Sequence, residues 1–147
     1  VRRQRQMCIR DRYLSSYIIE HKSDYYKALQ DVTEYADWTN WILYILDAVE
    51  VTAKKTLSMI QEIRKVQLET ETFVKNEMAD IYSRELIELL FEQPYCKISF
   101  LVDRHIAKKQ TASKYLNRLV AAGLLDKTKQ GREYYFINKN LWEILTR

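Results

Sequence analysis

An apolar stripe at helical spacing, from residue 38 to residue 60, constrains the fold more than any other feature. Its members recur every three or four residues, as one face of an amphipathic α-helix requires. The whole chain of 147 residues has only two Gly and one Pro, which favours long helices with few tight turns. We therefore expect one long helix after Asp37, continuing to about Leu68, with this apolar face: Trp38, Trp41, Ile42, Ile45, Leu46, Val49, Ala53, Leu57 and Ile60.

Helical spacing also begins before the stripe, at Tyr13, and Ser23 with Asp24 is expected to cap a second helix. Trp38 and Trp41 could form a platform on which a ligand stacks. At a spacing of three on an apolar face, however, tryptophans are more typical of a core. We expect both to be core residues.

The last 65 residues predict a second arrangement. Ser83 is expected to cap a helix that stops at Pro94, a short strand follows at 96–99, and Ser99 is expected to cap a short helix. A longer helix over 109–122 closes at Gly123. Two strands then flank residues 130–132, and a short helix ends the chain. Two adjacent helices followed by a basic hairpin are typical of a winged helix-turn-helix.

The 109–122 helix has an apolar face and a polar face. Ala112, Leu116, Leu119 and Val120 are expected to point inward. Short polar side chains and cations on the other face can read base edges and hold phosphates. Thr111 and the free N–H groups of the first turn suit a phosphate. The candidate nucleic-acid-binding residues are Lys109, Gln110, Thr111, Ser113, Lys114, Asn117, Arg118, Lys129 and Arg132. A solvated face, or a protein-interaction module, is the alternative.

The charge of the chain is unevenly distributed. Residues 13–82 carry seven Lys and Arg against twelve Asp and Glu, whereas residues 83–147 carry twelve against seven. An acidic middle followed by a basic C-terminal part indicates two modules with different partners.

Residue patterns for catalysis, metals and membranes are missing from the sequence. Gly123 and Gly131 suit a helix stop and a hairpin tip, so no Gly-rich phosphate loop exists. His21, His105, Cys8 and Cys96 have no ligand spacing, which argues against a metal site. The longest charge-free apolar stretch, WTNWILYIL, is far shorter than the roughly 20 residues of a membrane span. We expect a reduced, cytoplasmic protein, with a Cys8–Cys96 disulfide as the alternative.

The region YLSSYIIEHKSDYYKALQDV and ADWTNWILYILDAVEVTA resembles the helices after the catalytic loop of a Fic-family protein adenylyltransferase. Tyr13 to Ser15, the pair Tyr25 and Tyr26, and Trp38 with Trp41 carry this similarity. ELIELLFEQPYCKISFLV and KKQTASKYLNRLVAAGLL are similar to the winged-helix appendage of many bacterial Fic proteins. The resemblance implies transfer of AMP from ATP to a hydroxyl of a target protein, usually with magnesium.

The family's signature loop, HPFxDGNGR, is not in this sequence. In the family its His is the general base, its acidic residue holds the metal, and its glycines and Arg hold the phosphates. We expect that loop upstream of Tyr13 in the parent protein. This chain is therefore expected to hold no ATP or magnesium itself and to be inactive alone. MCIRDR, within residues 1–12, resembles a translated sequencing adapter, and the alternative is a basic arm that touches nucleic acid.

These observations predict a mainly α protein. Residues 1–12 are expected to be non-native, 13–68 the end of a Fic helical bundle, 69–82 a helical connector and 83–147 a winged helix-turn-helix with a small β-hairpin. Expected partners are a target protein of the parent enzyme and, through the winged helix, double-stranded DNA. The alternative function is a small DNA-binding transcriptional regulator whose N-terminal helices sense a ligand or form a homodimer.

Overall fold

A computed structural model of the chain describes residues 14–147. Within that range it has seven helices and a three-stranded antiparallel sheet, which confirms the mainly α class. The prediction for residues 1–12 lies outside the described residues. The chain divides into two compact units, one ending at Ser58 and the other running from Met59 to Arg147. The predicted division of the chain into a Fic bundle end (13–68), a connector (69–82) and a winged helix (83–147) stays a prediction.

Three helices occupy the region before residue 78: α1 (Leu14–Glu20), α2 (Lys22–Tyr35) and α3 (Thr39–Glu77). The Oδ1 atom of Asp37 accepts a 2.9 Å hydrogen bond from the N–H of Thr39, so the predicted start of the long helix is confirmed. Its predicted end near Leu68 is nine residues too early. Beyond Leu68, Thr70 and Val74 are buried, four residues apart, and burial of that face sustains the helix.

The predicted cap at Ser23 and Asp24 is wrong, because α2 begins at Lys22 with His21 at its N-cap. The N–H of His21 donates to the carbonyl of Tyr17, and its carbonyl accepts from the N–H of Tyr25. His21 is therefore the only residue between α1 and α2, and Ser23 already lies within α2.

The N-terminal unit has a small aromatic core. The Tyr17 ring lies 5.7 Å from that of Tyr44, and the Tyr25 ring lies 5.3 Å from that of Trp41. The Tyr17 hydroxyl donates to the carboxylate of Asp47, and this bond raises the pKa of Tyr17 to about 12. These contacts hold α1 and α2 against one face of α3.

The apolar stripe on α3 is mostly exposed. Trp38 is 57% exposed and Leu46 is 60% exposed, so the prediction that Trp38 lies in the core is wrong. Trp41 is half-buried. The reason is that α1 and α2 cover the face of α3 that carries Tyr44 and Ala48, leaving most of the stripe uncovered by the described residues. Its exposed members are Trp38, Ile42, Leu46, Val49, Ala53, Leu57 and Ile60.

The remaining elements are α4 (Arg84–Glu92), β1 (Tyr95–Cys96), α5 (Ile98–Asp103), α6 (Lys109–Ala121), β2 (Leu125–Gln130), β3 (Glu133–Asn138) and α7 (Lys139–Thr146). The predicted order of helices and strands is confirmed. The sheet order is β1-β3-β2, with Phe136 paired to Cys96 on one side and Lys127 on the other. Phe136 is fully buried at the centre of this sheet.

The predicted caps of α4 and α6 are confirmed. The Ser83 hydroxyl accepts from the N–H of Leu86, and Gly123 follows α6 with a φ of +77°. The strand predicted over 96–99 exists, but its bounds differ, because β1 consists of Tyr95 and Cys96 alone. The cap predicted at Ser99 is wrong, because α5 begins at Ile98 with Lys97 as its N-cap residue. The earlier start places both Ile98 and Leu101 against the core.

The core of the second unit joins every helix from α4 to α6 with the sheet. Most of its fully buried members are aliphatic or aromatic, and they come from helices and strands alike. They include Leu86, Leu101, Ala112, Leu116, Leu119 and Phe136. No helix among residues 14–147 has the length and apolarity to cross a membrane.

Asn138 joins three elements of this unit, and its replacement should be costly. The buried side chain accepts from the N–H of Leu141 at 3.2 Å, which caps α7, and donates to the carbonyl of Leu90 at 3.2 Å. Asn138→Ala should lower the free energy of unfolding by about 2–3 kcal/mol, through a lost cap and an unpaired buried carbonyl. Urea unfolding followed by circular dichroism measures this loss. Asn140→Ala, at an exposed position of the same helix, should cost less than about 0.5 kcal/mol; equal losses would contradict the capping role.

Candidate nucleic-acid interface

A tight turn places α6 on the surface of the second unit. Arg104 and His105 follow α5, and His105 has a φ of +57°, a left-handed conformation that is unusual for a side chain other than Gly. The N–H of Ile106 then donates to the carbonyl of Leu101 at 2.9 Å, and Ile106 packs against the core. His105 thus lies in the turn between α5 and α6.

The two faces of α6 are those that the sequence predicts. Ala112, Leu116 and Leu119 are fully buried, and Val120 is half-buried. Ser113 is half-buried at the edge of the outer face. The exposed residues of that face are Lys109, Gln110, Thr111, Lys114, Asn117 and Arg118.

The first turn of α6 keeps its backbone donors free of side-chain caps. Lys108 is the N-cap residue, and its side chain makes no capping hydrogen bond. The Thr111 hydroxyl is exposed beside these donors. Because the N-terminus of a helix carries partial positive charge, this end of α6 suits an anion.

The hairpin is attached to the outer face of α6 by Lys127. Its Nζ donates to Oδ1 of Asn117 at 2.9 Å and lies 4.4 Å from the centre of the Tyr134 ring. Lys129 is two residues further along β2, on the same side of the strand as Lys127. The outer face of α6 and this side of the hairpin therefore form one surface, which we call the α6–hairpin surface.

The tip of the hairpin carries the last two candidate cations. Gln130 pairs with Glu133, so Gly131 and Arg132 form a two-residue turn, in which Gly131 has a φ of +64°. Both Lys129 and Arg132 are exposed.

Three of the candidate residues on α6 are already engaged within the protein: Asn117, Arg118 and Ser113, whose hydroxyl accepts a 3.3 Å hydrogen bond from the Asn117 amide. Asn117 accepts from Lys127 and donates to the carbonyl of Ser113 at 2.7 Å. Arg118 forms an ion pair with Asp80, and the guanidinium lowers the pKa of that carboxyl. Sequence reasoning missed Asp80 as a neighbour of this surface, because it lies 38 residues before Arg118.

The remaining cations of the surface are unpaired. Several cations of this unit are neutralised by a nearby carboxylate, as in the pairs Lys97–Glu133 and Lys139–Asp126. A second group of lysine and arginine side chains is exposed, and in the described part of the chain no ion pair or hydrogen bond engages them. That group is Lys108, Lys109, Lys114, Lys129 and Arg132, and four of its members are candidates from the sequence.

The described residues do not fit an ATP–magnesium site. They contain no group of three His, Cys, Asp or Glu side chains arranged to hold a metal ion. Gly123 ends a helix and Gly131 forms the hairpin tip, so neither belongs to a phosphate-binding loop. We derive no catalytic step from the side chains of this chain.

Comparison with known families identifies the C-terminal half of the chain. The family model described as "Protein adenylyltransferase SoFic-like, C-terminal domain" matches residues 66–141, just over half of the chain. The matched range begins within α3 and ends within α7, so it contains the whole α6–hairpin surface.

The left-handed residues before and after α6, His105 and Gly123, should respond oppositely to replacement. A Cβ atom at Gly123 would meet no other atom within 4 Å, so Gly123→Ala should cost about 1 kcal/mol of stability through backbone strain alone. His105→Gly should instead raise stability by about 0.5 kcal/mol, since relief of the left-handed strain exceeds the added freedom of the unfolded chain. Urea unfolding of both variants tests this. Ala121→Gly, at a right-handed helical position, should be destabilising; stabilisation by that control would contradict the explanation.

Proposed function

The chain belongs to the family of C-terminal domains of SoFic-like protein adenylyltransferases, and from this premise we propose that it is the recognition part of a Fic-family enzyme. That enzyme transfers AMP from ATP to hydroxyl groups of target proteins. Residues 14–65 precede the matched range. Their assignment to a Fic helical bundle is supported by the exposed stripe on α3, which the further helices of a bundle would cover.

The second unit is proposed to be a winged helix. In support, α5 and α6 are joined by a short turn, and β2 and β3 form a hairpin whose third partner is the short strand β1. In a winged helix-turn-helix the second of the two adjacent helices enters the major groove. Here that helix is α6.

Duplex DNA is the proposed ligand of the α6–hairpin surface, and the unpaired cations are the observation that carries this proposal. Lys109 and the first turn of α6 would contact phosphates. Gln110 and Lys114 would face base edges, and Lys129 with Arg132 would follow the backbone. Cations without internal partners are able to neutralise phosphates without first losing an ion pair.

A small DNA-binding regulator is the second candidate, and the exposed stripe on α3 is the observation that favours it. A second copy of the chain could cover Leu46 and Leu57 in place of a Fic bundle. A dimeric regulator would bind two half-sites related by twofold symmetry. Sedimentation of the chain at increasing concentration separates the two candidates, because only the regulator requires a dimer.

Removal of the unpaired charges of α6 should weaken DNA binding. Lys109→Gln combined with Lys114→Gln should reduce affinity for a short duplex about tenfold or more, and should lower the slope of log K against log salt by about 2. Fluorescence anisotropy over a series of salt concentrations measures both quantities.

The matched control for this variant is Lys22→Gln combined with Lys27→Gln, which removes two exposed lysines from α2. It should leave the affinity within about twofold, because those charges lie outside the proposed surface. Equal losses in the two variants would mean that affinity follows net charge alone. No binding by the unmodified chain would indicate a protein-interaction module instead.

The chain alone should not transfer AMP. Incubation with labelled ATP, magnesium and a cell lysate should leave the lysate proteins unlabelled, since no described group of residues fits the nucleotide and its metal. Gel separation and detection of the label measure this, and a lysate without the chain gives the background. Label above that background would contradict the proposed division of roles.

A further inference from the structure

The ion pair between Arg118 and Asp80 brings a negative charge next to the α6–hairpin surface. Asp80 lies in the loop between α3 and α4, and Arg118 lies on α6 one turn after Lys114. The Asp80 side chain is two-thirds exposed and the Arg118 side chain is 44% exposed, so both remain accessible to solvent and to a ligand.

The loop that carries Asp80 is held in place on both sides. The N–H of Met78 donates to the carbonyl of Val74, and the N–H of Ile81 donates to the carbonyl of Met78, both at 3.0 Å. Ile81 itself is buried in the core. Asp80 is therefore presented to α6 by an ordered turn.

Tyr82 adds a second attachment between this loop and α3. Its hydroxyl donates to Glu71 at 2.8 Å, and Lys75, which forms a 2.7 Å ion pair with Glu71, lies 5.0 Å from the centre of the Tyr82 ring. The backbone of the loop at Asp80 is thus positioned by contacts that do not involve Arg118.

A DNA phosphate and Asp80 compete for the same guanidinium. Exposed ion pairs of this kind contribute only about 0–1 kcal/mol, so a phosphate can displace the carboxylate. After displacement, Asp80 would remain as an unpaired negative charge close to the DNA backbone, and that repulsion would oppose binding.

We propose that Asp80 limits the affinity of the α6–hairpin surface for duplex DNA by holding Arg118 in an ion pair that binding must break. This inference rests on the proposed DNA-binding function. It assigns a role to a residue outside the helix-turn-helix. It also distinguishes cations of the surface that have no carboxylate partner, such as Lys114, from Arg118, which is paired with Asp80.

Asp80→Asn should test the role directly, because it removes the charge and keeps the size of the side chain. Affinity for a short duplex should rise about three- to tenfold, and the slope of log K against log salt should steepen by about 1, because one more net positive charge then faces the phosphates. Asp80→Glu keeps the charge and should bind like the unmodified chain.

Two controls separate this mechanism from a general effect of charge. Glu62→Gln also releases an arginine, Arg147, from an ion pair, but at a position outside the α6–hairpin surface. It should change affinity less than twofold. In a chain that carries Arg118→Gln, the further change Asp80→Asn should have less than half its effect on log K, because its main target is gone.

The outcomes distinguish the two claims. If the unmodified chain binds DNA and Asp80→Asn binds equally well, or gains no more than Glu62→Gln, the role of Asp80 is wrong and the DNA-binding function stands. If neither the unmodified chain nor Asp80→Asn binds DNA, both claims are wrong. Detectable binding by Asp80→Asn alone would support both.

Discussion

Burial of the apolar face of α6 is the interaction on which the rest of the second unit depends. Leu116 and Leu119 are fully buried in a core that also contains Leu86, Leu101 and Phe136. Because these residues come from α4, α5 and the sheet as well as from α6, the core determines the rotation of α6 about its axis. That rotation in turn decides which of its polar residues reach solvent. The composition of the α6–hairpin surface is thus a consequence of packing on the opposite side of the helix.

Fewer lysine and arginine side chains of the second unit are free to bind a ligand than its composition implies. Lys97 and Lys139 are paired with carboxylates on the sheet and hairpin, and Arg118 is paired with Asp80. Lys127 is committed to Asn117 and the Tyr134 ring. Such exposed contacts are weak individually, but they decide which cations remain unpaired. The unpaired cations lie at the N-terminal half of α6 and on the hairpin. The net positive charge of the module favours an anionic partner. The location of the surface for that partner depends on which cations form ion pairs within the protein.

In the N-terminal unit, the apolar periodicity of α3 does not correspond to burial. The stripe on α3 is as regular as any buried helix face, yet Leu46 and Leu57 are more than half exposed. Periodicity identifies a face that is suited to burial and does not identify what buries it. The aromatic contacts of Tyr17 and Tyr25 cover a neighbouring face instead.

The sequence by itself determined the helices, their order and the two faces of α6. Periodicity and glycine stops such as Gly123 are properties of neighbouring residues, so they can be read locally. The errors at Ser23 and Ser99 are also small, since the N-cap residues, His21 and Lys97, each lie two positions before the predicted ones. The partner of Arg118 could not be read in this way, because Asp80 is separated from it by 38 positions and reaches it only through packing of the loop. The sequence therefore determined which side chains can face a nucleic acid. Only the tertiary structure decided which of them are free to bind it, because ion pairing depends on distances across the fold.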